Sequence, residues 1–184
     1  MLLGFMAVFQ SIRNFFVPPA TVVEPEVIVP APPTVYEIHP LTDKQLKEVL
    51  KLNLRCFKAG ENYTKYTFSY LLSEPNSLSY RFVAQNGQMV AFVFVMSNKE
   101  DGTGHITTIG VAPEHRRRGL ANKLLGHAEE ALRKRNISVV MLEVRVSNVA
   151  AQNLYREFNY SIVQRLPKYY NNAEDGFLMV KSLF

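Results

Sequence analysis

With 184 residues, 47% of them hydrophobic, the chain has enough material for one packed domain and an additional segment. Its net charge of +5 is uneven: residues 1–33 hold Arg13 against Glu24 and Glu26, a net −1, which leaves +6 on the rest. A basic domain suits nucleic acid, a membrane surface or an anionic cofactor; no aromatic-interleaved RNA motif or zinc-finger spacing is present, so the cofactor is the best-supported partner, with proximity to the ribosome next.

Residues 1–17 are mostly apolar, but Gln10, Arg13 and Asn14 interrupt a run that a spanning helix would keep for roughly 20 residues. A secretory signal would place its positive charge before the apolar run and small residues at a cleavage site, and neither is evident. An interfacial membrane contact, a helix docked on the domain and a true start at Met6 all stay open for this segment. Pro18, Pro19, Pro25, Pro30, Pro32 and Pro33 follow without helical period, which predicts a stiff, extended linker ending at residue 33. Such a tail is expected to be dispensable for chemistry.

The domain proper, residues 34–184, is expected to open with a strand at Val35–His39. Thr42-Asp43-Lys44-Gln45 reads as a capping box for a helix buried through Leu46, Val49, Leu50 and Phe57. Cys56 lies on that helix and is the sole cysteine, which excludes an internal disulfide or a cysteine zinc cluster and fits a reducing, cytoplasmic setting. Its apolar neighbours favour packing over a nucleophilic role. A second short helix carries Tyr66, Tyr70 and Leu71 and stops at Pro75. Strands Ser79–Ala84 and Met89–Met96 flank the hairpin turn Asn86-Gly87, and His105–Val111 is the next strand. Gly119–Arg135 repeats Leu120, Leu124, Leu125, Ala128 and Leu132 at helical spacing. A strand at Ser138–Val146, a helix at Val149–Phe158 and strands at Tyr160–Leu166 and Phe177–Val180 complete the order β-α-α-β-β-β-α-β-α-β-β, a mixed α/β pattern.

Between strand and helix stands Arg116-Arg117-Arg118-Gly119-Leu120-Ala121. Free N–H groups and the positive end of a helix dipole make such a turn a site for phosphate or pyrophosphate. The spacing Arg116-x-x-Gly119-x-Ala121 resembles the acetyl-CoA signature of the GNAT acetyltransferases. A second block, Leu142-Glu143-Val144-Arg145-Val146-Ser147-Asn148 followed by Ala151 to Tyr160, narrows the likeness. With Lys168-Tyr169-Tyr170 and Glu174-Asp175, it is similar to the ribosomal-protein alanine acetyltransferases and to archaeal and eukaryotic catalytic subunits of N-terminal acetyltransferases. The likeness runs from about Tyr36 to Leu183.

That resemblance implies a GNAT fold: a twisted mixed β-sheet flanked by helices and splayed near Gly110, with acetyl-CoA entering from one side and a peptide from the other. It implies that the amides of Arg117 to Ala121 hold the pyrophosphate, with Arg116, Arg117 and Arg118 raising the local potential. Ile109 and Val111 would pair with the pantetheine arm, and Asn148 would contact it or cap the helix that follows. Tyr155 would be the general acid for the departing thiolate, although its spacing alone suits a core aromatic. Glu143 would be the base; the alternative is a pair with Arg145 on the same strand face, because an unpaired carboxylate in a central strand costs several kcal/mol. Glu61, in Glu61-Asn62-Tyr63, matches a catalytic glutamate of the N-terminal acetyltransferases or is a surface loop residue. Tyr63, Tyr66, Tyr169 and Tyr170 would line the substrate side. The four histidines show no metal-ligand spacing: His105 and His127 are expected to be structural, and His115 to be exposed on its turn.

The expected activity is direct transfer of acetyl from acetyl-CoA to the N-terminal amine of a protein or peptide, with a ribosomal protein among the candidate substrates. Acetylation of a lysine or a small amine on the same fold is the first alternative. A non-catalytic acetyl-CoA-binding module is the second.

Overall fold

The strand Met89–Asn98 carries an unbroken apolar run from Met89 to Met96, and such a run is stable only where both faces of a strand are covered. All of it except Asn98 is buried. It is the third strand, β3, of the seven-stranded sheet in the computed structural model, which describes residues 28–57 and 63–184. The others are β1 (Tyr36–Pro40), β2 (Ser77–Ala84), β4 (Thr103–Val111), β5 (Val139–Arg145), β6 (Ser161–Leu166) and β7 (Gly176–Ser182). Their spatial order is β1-β2-β3-β4-β5-β7-β6. Every pairing is antiparallel except β4 with β5. Among the described residues four α-helices, α1 (Leu46–Cys56), α2 (Lys65–Ser73), α3 (Leu120–Arg133) and α4 (Val149–Glu157), fall where the periodicity puts them.

The helices are local products of their caps and faces. The Thr42–Gln45 box forms as expected, but it closes one 3-10 turn before α1 begins. Thr64 caps α2 by accepting from the Thr67 amide, and α2 ends at Ser73 because Glu74, the residue before Pro75, is extended, the α conformation being disfavoured there. Leu120, Leu124, Leu125, Ala128 and Leu132 bury one stripe of α3 against β2, β3 and β4. On the other face, the α2 residue Phe68 meets the rings of Phe92 and Phe94 at 6.1 and 5.1 Å. β3 and β4 run longer than the sequence suggests because Asn98 closes their turn, accepting from the Glu100 amide and donating to Asp101.

The expected splay near Gly110 begins earlier. The parallel β4–β5 ladder holds only over Thr103–His105 against Val139–Met141. Just beyond, the β3–β4 register slips between Phe94 and Val95, leaving Thr107 as an extra residue. A bulge bends its strand and reverses which face the following side chains take. Gly104 and Gly110, an even number of residues apart, would otherwise share a face. Instead a Cβ on Gly104 would strike Leu132 of α3, and one on Gly110 would strike Phe92 and Cys56 on the opposite side. The bulge, rather than the glycine, sends β4 away from β5.

Phe94 is fully buried between Phe68 and Phe92. Phe94→Ala should destabilise the fold by about 3–5 kcal/mol, read as a lowered urea midpoint at unchanged slope.

Candidate active site

Where β4 and β5 part, a cavity of about 590 Å³ opens. Arg116, Arg117, Ala121, Asn122, Asn148 and Leu154 lie on its wall, as do Phe57, Tyr63, Tyr169 and Tyr170, and both Glu143 and Tyr155 reach it. The β4 edge facing it has lost its strand partner. Ala112 donates to Val90 on the β3 side, so by alternation Ile109 and Val111 turn their N–H and C=O to the open edge. At its two ends Tyr63 donates to the Thr107 carbonyl at 3.1 Å, and Arg116 to the Val111 carbonyl at 3.2 Å. Ile109 lies between them, available to an added strand-like ligand.

The turn before α3 contains two left-handed residues, Arg117 at φ 60 and Gly119 at φ 72. Nothing would touch a Cβ on Gly119; its backbone angle, not crowding, calls for glycine. α3 has no side-chain cap at its start, so the amides of Leu120, Ala121 and Asn122 lack intrahelical acceptors. The three arginines diverge. Arg116 folds back to the carbonyls of Val111 and Cys56. Arg117 lines the cavity. Arg118 points to the opposite side, donating to the Tyr36 hydroxyl at 2.7 Å and the Pro32 carbonyl at 3.0 Å. Leu120 turns its side chain into the core, leaving only its backbone for a ligand.

Glu143 lies two residues beyond the last β4–β5 pair, on the face that His105 shares. Its Oε2 is 2.8 Å from His105 Nε2, and the two side chains are 6% and 4% exposed. His105 Nδ1 is 3.5 Å from the Thr107 hydroxyl, on the cavity wall. The pairing alternative for Glu143, Arg145, is engaged by Glu174 at 2.7 Å and stacks 3.8 Å over the Tyr170 ring. His105 is therefore part of the site, a role not assigned to it from sequence. The register sets it opposite Met141, two residues short of Glu143 on the same face. His115, expected to be exposed, is buried and bonded through Nδ1 to the Tyr36 hydroxyl at 2.9 Å, because the Pro113–His115 turn folds it under β1.

α4 delivers Tyr155. Asn148 caps the helix by accepting from the Ala151 amide, while also reaching the cavity. Gln152 donates to the carbonyls of Arg145 and Val146, binding α4 to the end of β5. Tyr155, one turn on, therefore faces β5. Burial raises its phenol pKa well above the ordinary range, and the nearby Tyr170 and Glu143 raise it further. Tyr169 and Tyr170, also on the cavity, meet edge to face at 5.2 Å. Tyr63 is held by Asn53, which donates to its carbonyl. Tyr66 points away at 80% exposure and does not line the cavity. Glu61 lies outside the described residues. Among the described residues no group of three His, Cys, Asp or Glu is placed to hold a metal.

The acetyltransferase (GNAT) family model matches residues 46–160, from α1 to the end of α4. The chain belongs to the GNAT acetyltransferase family. This GNAT enzyme is 39% identical over 144 residues to the N-alpha-acetyltransferase daf-31 of Caenorhabditis elegans, covering 75% of this chain and 78% of that one. It is 40% identical over 138 residues to NAA10 of Arabidopsis thaliana, the catalytic subunit of the N-terminal acetyltransferase A complex, covering 71% and 69%. Among solved structures it superposes on the ribosomal-protein-S18-alanine N-acetyltransferase of Escherichia coli with a TM-score of 0.73. That match has 26% identity and covers 81% of this chain and 94% of the other. As a GNAT enzyme it uses acetyl-CoA as acetyl donor.

Ser147 and the Arg145 guanidinium hold the Glu174 carboxyl down to about 2, from an ordinary 4.5. A carboxylate whose folded pKa is depressed stabilises above its unfolded pKa and loses that contribution as pH falls through the folded one. The stability gap between the native chain and Glu174→Gln should therefore be full at pH 6 and shrink steadily from pH 4.5 to 2, measured as urea midpoints.

Proposed function

We propose that this GNAT enzyme is an Nα-acetyltransferase that moves acetyl directly from acetyl-CoA to the N-terminal amine of a protein or peptide. One observation carries the mechanism: Glu143, held from behind by His105, and Tyr155 reach a single cavity where the strands part, with Tyr63, Tyr169 and Tyr170 also lining it. The unpartnered amides after Arg117 and the open edge at Ile109 fit the pyrophosphate and pantetheine of acetyl-CoA, which supplies the activated acetyl thioester. Asn148 is placed to contact the same arm.

An N-terminal ammonium has a pKa of about 8, so a modest base frees the nucleophile. Glu143 accepts that proton directly or through a water, and His105 fixes the carboxylate's orientation. The amine nitrogen then forms its bond to the acetyl carbon as the carbon–sulfur bond breaks, and the second proton it sheds replaces the one that Tyr155 gives up. Tyr155, kept protonated by burial, gives the departing sulfur its proton. Cys56 lines the same cavity but takes no part in this chemistry. Burial pushes its thiol up to about 12, Arg116 and Arg55 offsetting only part of the rise, so a thiolate able to carry acetyl is absent at neutral pH. Cys56→Ala should retain turnover and sequential, non-ping-pong kinetics.

Tyr155→Phe should lower turnover toward the roughly 10²-fold end of general-acid effects, water substituting in part, with little change in peptide binding. Wild-type turnover would reduce Tyr155 to a packing role. Glu143→Gln should depress turnover for every accepted peptide, whereas Glu61→Gln should do so unequally according to the first residues. The same peptide set, differing at the first two positions, tests the function when one member with a blocked N-terminus and an internal lysine is added. Acetyl on the free N-termini alone, read by mass spectrometry, is expected; efficient acetylation of the blocked lysine peptide would overturn the α-amine assignment.

We place the enzyme in the cytosol, as a catalytic subunit of the kind its Arabidopsis relative represents, with protein N-termini at or near the ribosome as substrates. The single thiol and the basic domain support that placement. No helix among the described residues is long and apolar enough to cross a membrane; residues 1–17 lie outside them.

A further inference from the structure

Arg117 occupies a left-handed backbone angle that side chains other than glycine rarely adopt unless their surroundings fix it. Its neighbours are fixed from opposite sides. Arg116 is anchored within the domain, to Val111 and Cys56. Arg118 is anchored to the proline-rich extension, donating to the carbonyls of Pro32 and Ala31, and to Tyr36. Ala31 returns its own N–H to the Glu114 carbonyl at 2.9 Å. Two adjacent residues of the extension are thus stitched to both ends of the segment from Glu114 to Arg118.

The composition of the extension suits this contact. Pro30, Pro32 and Pro33 restrict the backbone around Ala31, so docking removes little conformational freedom. A chain of this kind makes no internal hydrogen bonds and leaves its carbonyls available. Arg118 matches them with several donors in one rigid fork.

We propose that Ala31–Pro32 is a strap belonging to the acetyl-CoA site, and that Arg118 is a positioning residue acting through it. By closing on Glu114 and Arg118, the strap holds the intervening turn in the shape that leaves Arg117 on the cavity and the amides of Leu120 and Ala121 open. The extension is then more than a tether: it sets cofactor affinity without touching the reacting atoms. This proposal rests on the assignment of the Arg117–Ala121 turn to the pyrophosphate.

The test uses the full chain and acetyl-CoA itself. Ala31→Pro deletes the one N–H that reaches Glu114, and Arg118→Gln deletes the fork. Each should weaken acetyl-CoA binding by about 2- to 30-fold in calorimetry, the range expected of a coupled neighbour. The KM for acetyl-CoA should rise while kcat at saturation holds. Because both act on one latch, the double variant should bind about as well as the weaker single one; losses that multiply would mean that Arg118 contacts phosphate directly, and would overturn the strap. Gly119→Val separates the two ideas. If it abolishes binding while the strap variants keep native affinity, the strap falls and the turn stands. Native affinity in folded Gly119→Val removes the turn assignment, and the strap with it. If Arg118→Gln does not fold, Ala31→Pro alone decides by the same affinity measurement.

Discussion

β4 and β5 run side by side for three residue pairs and then part, and the chemistry of the protein depends on where that ladder ends. His105 is its last member on β4. Two residues past its last member on β5 stands Glu143, close enough to share a hydrogen bond with His105. A longer ladder would fill the cavity with backbone, and a shorter one would separate the pair. Removing one partner of a buried pair costs on the order of 3–5 kcal/mol, so the histidine at the fork helps make a glutamate tolerable in this strand. The same divergence frees the β4 edge at Ile109, so one slip in register produces both the candidate base and the candidate cofactor rail.

Around that fork the ionic groups are divided by side. Arg145 is held between Glu174 and the Tyr170 ring and stiffens the tyrosine wall. Arg116 and Arg118 are turned into the scaffold on either side of Arg117. Behind the sheet, Lys181 and Arg133 meet the buried Glu129 and fasten α3 to β7, away from the cavity. Much of the positive charge near the site therefore also holds shape.

Element order, helix faces and the two motif blocks were legible in the sequence, because periodicity and caps are local properties. What depends on register was not. Alternation in β4 reveals which residues share a face but not where a bulge reverses it, so the sequence alone points to Gly110 for the splay and leaves His105 unconnected to Glu143. The three arginines look equivalent in a row; the left-handed angle at Arg117, which sends its neighbours apart, leaves no mark in the residue type. His115 reads as a turn residue until β1 covers it. Likewise, nothing in the proline pattern distinguishes a free linker from one whose carbonyls are bonded at residues 31 and 32.

The open edge at Ile109 also has a consequence for how robust the protein is in use. An unpaired strand edge is a weak place in any sheet, prone to fray or to accept a foreign strand. With acetyl-CoA read as the group that completes it, the donor closes the sheet as well as feeding the reaction. A ligand that binds only the folded state adds to its stability with concentration, by about 2.7 kcal/mol at a hundred times its dissociation constant. On that reading the enzyme's resistance to heat and proteolysis follows the supply of its own donor, and starvation for acetyl-CoA weakens the catalyst as well as slowing it.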